Sequence, residues 1–241
     1  MASLTTSAAG ITALIGEEGA VDGLYDDSSG YCTFGVGHLV HPTDKWSCFL
    51  LPAAMGNDAW KAQLGSAGAL RYVPRAATGW SDFPDLTTQA VTLGADRVGP
   101  AAAQDAVQRE AGLLGQKVAD VLAADLGGQY EEAVNGAVTG VALTQDEFDA
   151  LVSFCFNIGT GGFRTSTVVR LINQNQYRWG GDVGARQAAI TSIENAFAMW
   201  NKSAGRVVPA LAARRKRESD RFLRGARDEL ARMEAGVPAQ S

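Results

Sequence analysis

The first forty residues change hydrophobic period within a few positions, and that change limits the available folds more than any other feature of the chain. Ile11, Leu14 and Ile15 recur at the 3–4 spacing of one buried helix face, with Thr6 or Ser7 placed to cap the helix. Gly19 follows Glu17 and Glu18 as a natural helix stop. Leu24-Tyr25 then leads into Asp26-Asp27-Ser28-Ser29-Gly30, a strong turn signal. Tyr31 to His38 reads as the returning strand, with close backbone approach at Gly35 and Gly37. The fold must therefore seat a helix beside a short antiparallel hairpin.

From His41 to about Pro100 the signal degrades, because Pro42, Pro52, Pro74 and Pro84 interrupt it. Trp46, Trp60 and Trp80 lie here, and the segment is expected to be partly helical and to pack on the main body through these indoles. Core packing is the expectation for Trp60 and Trp80. Helical patterning returns from Ala101, with Val107, Leu114, Val118, Val121 and Leu122 on one face. Thr144 and Glu147 form a capping box ahead of Phe148, Leu151 and Val152. Later helices are expected over 166–173, 186–200 and 209–233, with no internal repeat.

At 46% hydrophobic residues and net charge -5 over 241 residues, the chain is not a disordered one. No apolar run approaches the roughly 18 residues of a membrane span, and the acidic balance gives no reason to expect a nucleic-acid partner. Ten of the 21 basic residues lie between Lys202 and Arg232, a run whose plain reading is a solvated helix face. Cys32, Cys48 and Cys155 are odd in number and widely spaced, so reduced, buried thiols are expected rather than a disulfide framework. His38, His41 and Cys48 match no zinc spacing, and no metal is expected.

Glu18 is followed by eight residues and Asp27, and Asp27 by five residues and Thr33. Gly19, Tyr25, Gly30, Tyr31 and Gly35-Val36-Gly37-His38 fall in the same register. Together they resemble the signature of the phage lysozyme (endolysin) family, glycoside hydrolase family 24. Phe148 to Gly159 and Gly162 to Thr167 look like that family's central helix and turn. Trp200, Pro209-Ala210-Leu211 and Arg214 to Glu218 are similar to its closing helix. The resemblance departs at Ala210, where Gly is usual, and over 41–103, which is longer than in compact members.

The resemblance implies an α+β, lysozyme-like fold: a small N-terminal lobe of helix and antiparallel hairpin, a larger all-helical lobe, and a cleft between them. It implies one domain, with a catalytic lobe at 5–40, an insertion at 41–103 and a helical lobe at 104–233. The implied activity is a muramidase hydrolysing the β-1,4 bond between N-acetylmuramic acid and N-acetylglucosamine of peptidoglycan by an inverting, single-displacement reaction. Such a reaction needs an acid and an anion and no cofactor. Glu18, at a helix end whose carbonyls disfavour the charged form, is the acid. Asp27, in a turn rich in hydroxyls and N–H groups, is the anion or base, and Thr33 positions the water. Tyr25, His38 and Asn157 are the candidate substrate-binding residues, with His38 also able to orient the acid.

Each assignment has a plainer rival. Glu17 lacks the spacing and is expected to be an ordinary surface residue, and Asp26 is a turn former. Phe163 is expected in the core, and Arg214 with Glu218 as an i,i+4 structural pair. Met1 to Gly10 shows no Lys or Arg ahead of its apolar residues, so the expectation is synthesis in the cytoplasm without a secretory signal, followed by release or delivery to the wall. A phage endolysin released through a holin, acting as a monomer, fits first. A bacterial muramidase toxin with an immunity protein, a lytic transglycosylase and a non-catalytic peptidoglycan-binding protein are the alternatives.

Overall fold

Helix α1 (Ala8–Glu18) begins where Ser7 Oγ accepts the Gly10 N–H at 3.0 Å, and Gly19 ends it at φ +71°. The computed structural model describes residues 3–75, 83–179 and 181–236; Trp80 lies outside them. The chain divides into two compact units: Glu18–Ala124, and Met1–Glu17 with Asp125–Ser241.

The first of these is built on a sheet. Strands β1 (Val21–Asp26), β2 (Cys32–Gly35) and β3 (His38–Leu39) form the expected hairpin and a short continuation. Helices α2 (Leu50–Gly56) and α3 (Asp58–Lys61) follow, then β4 (Gly65–Ala67) and β5 (Leu70–Pro74). The sheet runs β3-β2-β1-β5-β4 with antiparallel pairings, so the segment expected as an insertion supplies two of its strands. Gly23 makes this possible: a Cβ there would stand 2.0 Å from the Val73 carbonyl oxygen. Helices α4 (Phe83–Val98) and α5 (Pro100–Leu114) complete the unit, and α6 (Val118–Ala137) begins in it. Leu24, Phe34, Phe49, Leu50, Trp60, Val73, Leu86 and Val107 form its core, with Trp46 packed against them.

Cys32 and Cys48 are joined in a disulfide, which corrects the expectation of reduced thiols; Cys155 alone is free. An odd count excludes complete pairing but not one pair. The chain turns after β3 and comes back alongside β2, where the Cys32 N–H donates to the Trp46 carbonyl at 2.7 Å. Closing a loop of this size contributes about 3 kcal/mol on chain-entropy grounds.

The second unit is helical. Besides α1 and the rest of α6 it holds α7 (Gln145–Ile158), α8 (Thr160–Arg164), α9 (Thr167–Gln174), α10 (Gln176–Trp179) and α11 (Val183–Ala198). A two-stranded hairpin, β6 (Lys202–Ser203) with β7 (Arg206–Val207), precedes α12 (Pro209–Glu234). The Thr144–Glu147 capping box opens α7 as its sequence predicts. Phe154 is ringed by Phe163, Phe197 and Trp200 at centroid distances of 4.8–6.2 Å, which puts Phe163 in the core.

The basic run differs from a solvated face. Arg214 and Arg215 are buried, and both bond Glu218, which confirms the structural pair. Arg217 pairs with Glu17, Arg221 with Asp146 and Asp149, Arg224 with Asp146, and Arg227 with Glu194 and Asp220. Lys216 with Asp220 and Arg232 with Glu229 complete eight paired residues of the ten. This stretch holds helices together through charge-assisted bonds.

Candidate active site

The turn between β1 and β2 is built around Asp27. Its N–H donates to the Tyr31 carbonyl and its own carbonyl accepts the Gly30 N–H, both at 2.9 Å, with Gly30 at φ +79°. The side chain then folds back: Oδ1 accepts the Ser29 N–H at 2.8 Å and the Tyr31 N–H at 3.0 Å. Two backbone donors on one oxygen fix the orientation of the carboxylate.

Thr33 lies on β2, only 3% exposed, and its hydroxyl donates to the Tyr31 carbonyl at 3.0 Å. Tyr31 thus joins the two groups: its N–H goes to Asp27 and its carbonyl receives both the Asp27 N–H and the Thr33 hydroxyl. Because the Thr33 proton is committed, the oxygen can still accept a hydrogen bond.

Register places the other candidates. Tyr25 is directly opposite Thr33, and Leu39 pairs with Thr33 from β3. Tyr25 is half-buried, the Gly37 N–H bonds its hydroxyl, and burial pushes its pKa up. His38 pairs with Phe34, and the pleat therefore sends it to the face of Leu24 and Phe34, opposite that of Tyr25 and Thr33. Glu18 is the exposed last residue of α1, three positions ahead of Val21, so it enters β1 from the end opposite Asp27. Asn157 is the exposed penultimate residue of α7, in the helical unit.

Two further residues matter here, Asp26 and Glu110. Asp26 is more than a turn former: its Oδ1 accepts the Cys48 N–H at 2.7 Å, and burial raises its pKa, with the Asp27 charge adding to the shift. Glu110, from α5, is fully buried and accepts the Phe49 and Leu50 N–H groups and His41 Nε2 at 2.8–3.1 Å. It therefore caps α2, whose own N-cap residue Phe49 has no capping side chain. Cys32, Cys48 and Glu110 bring ligand-type atoms within 4.8 Å of one another, but the sulfurs are bonded together and the carboxylate is occupied. A carboxylate on α5 reaching α2 leaves no local spacing to read.

The sequence matches the family described as phage lysozyme over residues 84–218, more than half of the chain. The chain belongs to the phage lysozyme family. As a phage lysozyme family member it is similar to the endolysin of Bacillus phage PZA, 35% identical over 103 residues, which are 43% of this chain and 34% of that protein. It is also similar to the endolysin of Salmonella phage P22, 34% identical over 111 residues, 46% of this chain and 65% of that protein. The chain thus spans less than two thirds of the curated relatives it matches. A crystal structure of a P22 lysozyme mutant aligns with 91% of this chain and 99% of its own, at 26% identity and a TM-score of 0.50. The fold is accordingly lysozyme-like and α+β. The family match begins after Glu18, Asp27 and Thr33, so the case for those residues rests on their own geometry.

Proposed function

We propose that this chain is a muramidase that hydrolyses the β-1,4 bond between N-acetylmuramic acid and N-acetylglucosamine in peptidoglycan, serving as a phage endolysin. One observation carries the chemistry: Tyr31 orders a carboxylate in the β1–β2 turn and an accepting hydroxyl on β2. A water placed between them donates one proton to Asp27 and the other to Thr33 Oγ1, which leaves a lone pair for the anomeric carbon. As the new C–O bond forms, Asp27 takes the water proton, Glu18 gives its proton to the departing glycosidic oxygen, and configuration inverts.

Tyr25, on the face of Thr33, is the first substrate-contacting residue in this reading; His38, on the opposite face of the sheet, and Asn157, on α7, are the further candidates. The endolysin role is supported by the names of the two phage relatives. Action outside the reducing cytoplasm is supported by the Cys32–Cys48 bond. No helix among the described residues is long and apolar enough to cross a membrane. Release through a holin and action as a monomer complete the proposal.

The test is product analysis on purified peptidoglycan with the wild-type chain and Glu18→Gln. The expected result is muropeptides ending in reducing N-acetylmuramic acid, with activity reduced about 10³-fold or more in the variant. Variant activity within a few-fold of wild type rejects the assignment of Glu18.

A further inference from the structure

Cys32 directly precedes Thr33 on β2, and it pairs across the hairpin with Asp26, the residue before Asp27. Its disulfide partner returns to the same place, because the Cys48 N–H donates to Asp26 Oδ1 at 2.7 Å. The Cys32 N–H donates to the Trp46 carbonyl. One covalent bond and two hydrogen bonds therefore tie the 46–48 segment to both strands at the base of the Asp27 turn. On its far side that segment is held by the buried Glu110 carboxylate, through the Phe49 and Leu50 N–H groups. Both cysteines are fully buried in the core of the sheet unit.

Bonded sulfurs stand about 2 Å apart, whereas unbonded heavy atoms need roughly 4 Å. Opening the bond in a close-packed interior must therefore displace one of its two supports. The Glu110 carboxylate on α5 holds its side through two main-chain N–H groups and His41, against the single Asp26 bond on the other side, so the displacement falls on the hairpin, within one residue of Asp27 and of Thr33. Misplacing reacting groups by about 1 Å costs on the order of 10²-fold in rate.

We infer that the Cys32–Cys48 disulfide is a positioning element for Asp27 and Thr33, so that the oxidised chain is the active form and reduction silences it without unfolding it. The inference rests on the muramidase reading for its catalytic consequence, though not for the positioning itself. The bond forms by exchange with an external disulfide. One cysteine thiolate attacks that disulfide and releases a thiol; the second cysteine then displaces the other thiol. Two electrons and two protons pass from the pair to the oxidant. Burial and the nearby Glu110 carboxylate disfavour thiolate attack on the finished bond, so the oxidised state persists once set. Cys155, buried in the other unit with its pKa pushed up to about 12, does not compete.

Two measurements on the full chain test this. The first is amide hydrogen exchange of Ser29 and Tyr31, the donors to Asp27, before and after reduction with a phosphine. Exchange is expected to quicken about tenfold or more while α7 amides stay unchanged. The second is the kcat and KM on peptidoglycan of the oxidised chain, the reduced chain and the Cys32→Ser/Cys48→Ser double variant. A fall in kcat of about 10- to 100-fold is expected, with KM within about twofold, and re-oxidation should rescue the wild type alone. Unchanged Ser29 and Tyr31 exchange, or a folded double variant with kcat within about twofold of the oxidised chain, overturns the inference. An oxidised chain that cleaves nothing, but whose Ser29 and Tyr31 amides still respond to reduction, supports the positioning and overturns the muramidase reading.

Discussion

In the sheet unit a carboxylate is buried against backbone N–H groups; in the helical unit carboxylates are buried against guanidinium groups. Glu110 binds two main-chain donors and a histidine, and so fixes the path of residues 46–50 beside the Asp27 turn. Glu218 takes Arg214 and Arg215 on its own helix and Ser153 on α7, and Asp149 takes Ser7, Gln145 and Arg221, so these carboxylates fix one helix against another. The first arrangement has few members and each is needed to hold a loop. The second is a repeated lattice of pairs in which one exposed member matters little. Chemistry that depends on about an ångström of backbone position belongs in the first kind of environment.

The largest expected effect breaks the first arrangement. Glu110→Ala leaves His41 and the start of α2 without a partner, and should cost about 3–5 kcal/mol in denaturant unfolding. A cost below about 1 kcal/mol would mean that the buried carboxylate does not organise the sheet unit.

The smallest effect probes the second arrangement. Glu17 bonds Arg217 through both oxygens, and that hydrogen-bonded guanidinium lowers its pKa. A lowered folded-state pKa stabilises the chain fully above the unfolded carboxylate value, and the gain disappears as pH falls through the folded value. Because Arg217 is largely exposed, Glu17→Gln should cost only about 0.5–1 kcal/mol at neutral pH. The difference from wild type should vanish near pH 3 in unfolding curves taken across pH; a constant difference would rule out the ion pair as its cause.

What the sequence made legible was local. The Ser7 cap, the Gly19 stop, the Asp26–Gly30 turn and the Thr144–Glu147 box lie within four or five residues of their partners, and all formed as read. Arg214 with Glu218 was legible for the same reason. β5 was not, because its pairing with β1 crosses fifty residues and its strand signal ends in Pro74. The disulfide and the Glu110–His41 contact were hidden by sequence separation, not by composition. In the basic run the sequence displays the cations, while the acids that neutralise them stand on other helices or at i+3, i+4, i−3 and i−7 on α12 itself.

At the candidate site, the spacing of Glu18, Asp27 and Thr33 was readable, and the turn chemistry around Asp27 followed from its Ser and Gly neighbours. Readable spacing did not extend to Tyr31, whose contribution is made entirely by backbone groups. Nor did it show that His38 and Thr33 lie on opposite faces, which depends on where β3 pairs with β2.

The central claim is that Asp27 and Thr33 present a water for single displacement while Glu18 protonates the leaving oxygen. The most direct test is proton NMR of the anomeric signal in the first minutes of hydrolysis of a peptidoglycan glycan by the oxidised chain. The account predicts that the new N-acetylmuramic acid end appears first as the α anomer and only later mutarotates. Initial appearance of the β anomer, or of a 1,6-anhydro end, would contradict it.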